Sequence, residues 1–157
     1  MLMAKRVLVV DDDQNTVKYH SAVLSESGYE PIAAYDGVEG LRKAEISPPD
    51  LIVLDVMMPK KSGFVLFKQL KKDDRFKDIP VLMLTAVAGV LDEQESRAEE
   101  ASERPYDSLR QALRKMIEEL REEGPLRPEM FVDKPIDADE FVNKVKDVIG
   151  DSEGDGT

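Results

Sequence analysis

The sequence predicts an α/β fold: a doubly wound, five-stranded parallel sheet covered by helices on both faces. Three observations carry this expectation. Short, wholly apolar runs such as Val7 to Val10 and Leu51 to Leu54 suit strands buried on two faces, which read as continuous rather than alternating. Stretches with apolar residues at helical spacing lie between them. Several of the runs stop on a polar residue able to do chemistry, and in sheets of this kind the site lies beyond the carboxyl ends of the strands.

The elements follow in order. Val7 to Val10 is the first strand and stops abruptly at Asp11-Asp12-Asp13. Asn15 to Ser27 is a helix with Gly28 as its stop. Pro31 to Ala34 is a weaker strand. Asp36 to Ile46 reads as a short helix despite Gly37 and Gly40, and Ser47-Pro48-Pro49 breaks it. Leu51 to Leu54 is a second buried run, ending on Asp55; Met58 to Gly63 is loop. Phe64 to Lys72 carries Phe64, Phe67 and Leu70 at helical spacing. Val81 to Leu84 ends on Thr85, and Met130 to Val132 is followed by Asp133 and Lys134. Asp137 to Ile149 repeats apolar positions at Phe141, Val142, Val145, Val148 and Ile149, an amphipathic helix. The polar, Gly-rich end of the chain, residues 151–157, is expected to be a disordered tail.

Composition narrows the function. The 157 residues suit one domain. A net charge of −11 argues against a free-standing nucleic-acid binder, which needs a basic stripe, and against a polybasic membrane-surface protein. With no cysteine there is no disulfide, Cys-ligated zinc or thiol catalysis. No apolar stretch approaches the ~20 residues of a membrane span, and the N-terminus lacks a signal-peptide core. A cytoplasmic protein is the expectation.

If the predicted strands are neighbours, Asp11, Asp12, Asp55, Thr85 and Lys134 converge at one sheet edge. Three carboxylates held together repel: at an effective dielectric near 20, two unit charges ~4 Å apart cost about 4 kcal/mol. Such a cluster holds protons or binds a cation. Oxygen-only ligands select a hard ion such as Mg²⁺, which in turn favours phosphate oxygens. Lys134 offers a point charge, Thr85 a hydroxyl, and a central aspartate can serve as nucleophile, giving an acyl phosphate. Taken singly, each strand-end aspartate also reads as a turn or helix-cap residue.

The joint pattern resembles a response-regulator receiver domain of two-component signalling. The matching segments are Val7-Leu8-Val9-Val10-Asp11-Asp12-Asp13, Asp50-Leu51-Ile52-Val53-Leu54-Asp55-Val56-Met57-Met58-Pro59, Val81-Leu82-Met83-Leu84-Thr85-Ala86 and Val132-Asp133-Lys134-Pro135. The resemblance implies a flavodoxin-like fold and a stand-alone signalling module that takes phosphate from a histidine kinase or histidine phosphotransfer protein and acts on an unidentified downstream protein. It implies Asp55 as phospho-acceptor, with Mg²⁺ held by Asp12, by Asp11 partly through water, by Asp55 and by the Met57 carbonyl. Thr85 would follow the phosphoryl group, Lys134 would pair with it, the Lys134-Pro135 bond would be cis, and Phe131 would be the switch aromatic. Met57 and Val87 offer no group to orient water, so the acyl phosphate is expected to persist. His20, the only histidine, reads as a helix-surface or helix-packing residue rather than a relay histidine. A relay intermediate or phosphate sink stays open as an alternative. A Mg²⁺-dependent aspartyl-phosphate phosphatase is disfavoured, because such enzymes place a second acid where Met57 stands.

One departure stands out. Residues 89–128 hold 11 acids and 7 bases and separate Thr85 from Lys134 by about twice the distance the resemblance implies. Gly89 to Tyr106 reads as an expanded polar loop. Ser108 to Glu123, with an apolar stripe at Leu109, Ala112, Leu113, Met116, Ile117 and Leu120 and a Ser108/Gln111 capping box, reads as a lengthened fourth helix. The receiver would therefore span residues 1–150, with residues 89–128 as an insertion whose apolar stripe either packs on the sheet, as a receiver's fourth helix would, or projects a face for a partner or a second copy of the chain.

Overall fold

A computed structural model of the chain describes residues 4–55, 63–85, 115, 130–133 and 136–151, with backbone alone described at 64, 85 and 130–133. Its elements run β1 (Arg6–Val10), α1 (Gln14–Glu26), β2 (Glu30–Ala34), α2 (Gly37–Ile46), β3 (Leu51–Asp55), α3 (Gly63–Lys72), β4 (Val81–Thr85), β5 (Met130–Asp133) and a C-terminal helix (Ala138–Ile149). The strands form one five-stranded sheet in the order β2-β1-β3-β4-β5, with every neighbouring pair parallel. The expected fold class is therefore what the chain adopts.

The continuous apolar runs are explained by what lies on each side of the sheet. Leu8, Val10, Ile52, Leu54, Val81 and Met83 pack with Ala44 of α2 and with Leu66, Phe67 and Leu70 of α3. Their sequence neighbours Val7, Val9, Leu51, Val53, Leu82 and Leu84 pack on the other face, against Val17 and Leu24 of α1 and Phe141 and Val145 of the C-terminal helix. Adjacent residues of a strand point to opposite faces, so a two-sided core leaves no place for a polar alternation. Each fully buried Leu, Val or Phe contributes roughly 1.5–3 kcal/mol against exposure.

Gly40 answers why α2 tolerates a glycine. A β-carbon there would stand 3.1 Å and 3.3 Å from the two γ-carbons of Val10, so α2 lies close on β1 only because the side chain is absent. The helix starts are capped by aspartates: Asp36 accepts from the Glu39 amide at 2.8 Å, and Asp137 from the Glu140 amide at 3.3 Å. The far end of the C-terminal helix is tied down too. Lys5 Nζ donates to the Ile149 carbonyl, and the Tyr29 hydroxyl donates to the Gly150 carbonyl at 2.6 Å.

Met57, Val87, Lys134, Pro135 and residues 152–157 lie outside the described residues, as does the 89–128 stretch except Lys115, which is helical and exposed. Among the described residues no helix is long and apolar enough to cross a membrane.

Candidate functional site

Sheet register brings the strand-end residues together. Val10 of β1 pairs with Leu54 of β3, so Asp11 and Asp55 stand one rung further on, at the carboxyl ends of adjacent strands. This is also where the strand order reverses, with β2 on one side of β1 and β3, β4 and β5 on the other, the place where open parallel sheets form a crevice. Asp55 pairs with Leu84, and Thr85 with Asp133, the residue before Lys134. The backbone thus sets Asp11, Asp55, Thr85 and Asp133 along one edge, while Lys134, the residue expected there, lies outside the described residues.

The side chains of three of these acids meet. Asp11, Asp12 and Asp55 each offer a carboxylate oxygen, and these oxygens lie within 4.8 Å of one another. Asp11 is 1% exposed and Asp55 3%, whereas Asp12 is open to solvent. Burial of two acids beside a third is costly unless a cation or donor compensates. Three oxygen donors, with no nitrogen or sulfur ligand among them, fit a hard divalent ion such as Mg²⁺.

The third acid of the run does something else. Asp13 is the N-cap of α1, where its carboxylate accepts from the amides of Asn15 (2.9 Å) and Thr16 (3.4 Å). Its own amide donates to Asp11 Oδ1 at 3.0 Å. The helix begins at Gln14, one residue before its expected start, so the acid that caps it is Asp13.

Two further buried polar residues carry structural roles. His20 is 3% exposed on α1 and stacks on Phe141 of the C-terminal helix, ring centroids 4.5 Å apart. That agrees with the expected packing role. Lys71, 6% exposed at the end of α3, donates to the carbonyls of Lys77 (3.2 Å) and Ile79 (2.8 Å), pinning the turn that enters β4. Nothing in the Lys-rich helix end distinguishes Lys71 from its exposed neighbour Lys72.

The chain belongs to the response regulator receiver domain family, whose model matches residues 7–103. Among its relatives, the polar-differentiation response regulator DivK of Brucella anthropi is 31% identical over 150 residues, covering 96% of this chain and 100% of that protein. The alkaline phosphatase synthesis transcriptional regulatory protein PhoP of Bacillus subtilis is 50% identical over 84 residues, covering 54% of this chain but 34% of that protein. The chain thus spans about a third of the length of PhoP and the whole of DivK. Among solved structures, the chemotaxis response regulator CheY4 of Vibrio cholerae superposes with a TM-score of 0.67 at 27% identity, covering 93% of this chain and 98% of that one. The family match ends inside the acidic stretch; β5 and the C-terminal helix complete the sheet beyond it. Receiver domains are two-component signalling modules rather than enzymes in the ordinary sense. They generally bind Mg²⁺ at an acidic cluster and interact with histidine kinases or phosphotransfer proteins.

Proposed function

We propose that this chain is a phospho-accepting receiver that takes a phosphoryl group from a histidine kinase or histidine phosphotransfer protein onto Asp55 and signals through a protein partner. The observation that carries the reading is the convergence of Asp11, Asp12 and Asp55 at the ends of β1 and β3. An oxygen of Asp55 attacks phosphorus, the bond from phosphorus to the donor's imidazole nitrogen breaks, and the imidazole leaves with a proton. Asp12, Asp55, the Met57 carbonyl and, partly through water, Asp11 would hold Mg²⁺, which when bound would neutralise phosphoryl charge. Lys134 pairs with a phosphoryl oxygen and the Thr85 hydroxyl donates to another. The register of Thr85 with Asp133 supports this, because it sets the strand leading to Lys134 beside the strand that ends on Thr85.

The added phosphate brings about −1.5 to −2 charges to the sheet edge. Thr85 moving toward it frees space for Phe131 to turn inward, and the face formed by β5 and the elements around it changes its affinity for a partner. The receiver spans residues 1–150 in this reading, with 89–128 as an insertion beside the switch face and 151–157 as a tail. Incubation with acetyl phosphate with and without Mg²⁺ tests it. The unaltered chain incorporates phosphate only with Mg²⁺, and Asp55→Asn incorporates none. Equal incorporation by both proteins contradicts the reading.

A further inference from the structure

We infer that Asp13 is a positioning residue for the acidic site: by capping α1 it holds its own amide against Asp11 and fixes the direction of the Asp11 carboxylate. The inference rests on the metal-site reading above and concerns how that site keeps its shape.

The hydrogen bonds around the turn form one chain. The Asp11 amide donates to the Ala34 carbonyl at 3.1 Å, anchoring the turn to the last residue of β2. Oδ1 of Asp11 accepts from the Asp13 amide at 3.0 Å. Asp13 in turn is fixed twice to α1, through its carboxylate on the Asn15 and Thr16 amides and through its carbonyl, which accepts from the Val17 amide at 3.0 Å. Its backbone is extended (φ −86°, ψ 108°), as an N-cap requires. The peptide that holds Asp11 Oδ1 is therefore placed by the cap.

Asp12 sits between these two anchors, exposed, and contributes the third oxygen of the cluster. A metal site tolerates little displacement of its ligands, and groups that orient ligands without touching the ion tune its affinity. Asp13 is outside the set of converging carboxylates. Its contribution is a capping geometry, which Asn and Ser reproduce without the charge.

Isothermal titration of the full chain with Mg²⁺ alone, together with thermal unfolding in the absence of metal, tests this. Asp13→Ala is expected to weaken Mg²⁺ binding about fivefold, the factor that corresponds to about 1 kcal/mol. Its Tm falls by about 2–4 °C, so the protein stays folded at the titration temperature. Asp13→Asn and Asp13→Ser are expected to bind Mg²⁺ within about twofold of the unaltered chain. A lowered Tm in Asp13→Ala with unchanged Mg²⁺ affinity overturns the inference, because the cap would then serve the helix alone. Equal weakening in all three variants also overturns it, in favour of a direct effect of charge. Absence of Mg²⁺ binding by the unaltered chain removes the metal-site reading itself, and the inference with it.

Discussion

Asp11 and Asp55 are each almost fully buried, yet each offers a carboxylate oxygen within 4.8 Å of the other. They come from the ends of adjacent parallel strands, one rung beyond the Val10–Leu54 pair. Carboxylates grouped this closely repel one another when ionised, and such a group attracts a cation.

Removing one of the charges should therefore stabilise the metal-free chain. Asp55→Asn is expected to raise the metal-free Tm by about 2–4 °C, the shift that about 1 kcal/mol produces in a domain of this size. Saturating Mg²⁺ raises the Tm of the unaltered chain and leaves the variant almost unmoved. Differential scanning calorimetry with and without EDTA measures both effects. A lower metal-free Tm for Asp55→Asn contradicts a net repulsion among the grouped carboxylates.

His20 tests a different contact. Its ring fills space between α1 and the C-terminal helix against Phe141, so His20→Ala creates a cavity and removes a ring stack. The expected cost is about 2 kcal/mol in urea unfolding. Phosphate incorporation from acetyl phosphate remains as in the unaltered chain, since the residue packs and does not relay. Loss of incorporation in a folded variant would assign His20 a chemical role.

Asp73 gives a pH signature. Hydrogen bonds from Arg75 hold its carboxyl well below its ordinary value of 3.8, at about 2, and the same pair raises Arg75 above its ordinary range. A folded-state pKa below the unfolded one means that the stabilisation is present above about pH 4 and is lost as pH falls through about 2. Asp73→Asn should flatten the decline of stability between those values by lowering stability above about pH 4, and only modestly because the pair is largely solvent-exposed, while stability near pH 2 stays as in the unaltered chain. Urea midpoints measured across this range check it. An unchanged slope would show that the Arg75 contact has no thermodynamic weight.

Met57 bears on how long the signal lasts. In the proposed function it stands two residues after the nucleophile and offers no group to orient an attacking water. Met57→Asn is expected to speed loss of phosphate about tenfold, which is about 1.4 kcal/mol in the barrier. The decay of phosphorylated protein after removal of the donor gives the rate directly. Identical decay curves would leave Met57 as a packing residue.

The legibility of this molecule in its sequence follows burial. β1 and β3 are covered on both faces and read plainly as apolar runs, and the residues that follow or end them marked the site. β2 reads weakly because it is an edge strand, half-exposed over most of its length and interrupted by Pro31. What spacing could not convey depends on distant partners. The burial of His20 requires Phe141 from the far end of the chain, and the burial of Lys71 requires carbonyls of a turn that only tertiary packing brings over it. Of the three consecutive acids, the sequence assigned Asp11 and Asp12 to the site and left Asp13 without a role. Hydrogen bonding separates them into two that converge with Asp55 and one that caps a helix.

The proposed function stands or falls on Asp55 as the residue that accepts the phosphoryl group. Borohydride reduction of the chain after incubation with acetyl phosphate and Mg²⁺ cleaves an acyl phosphate to the corresponding alcohol, so peptide mapping by mass spectrometry locates the modified position. Homoserine at position 55, dependent on both donor and Mg²⁺, is the expected result. Homoserine at another aspartate position, or a phosphate label that survives reduction at Ser, Thr or His, would contradict it.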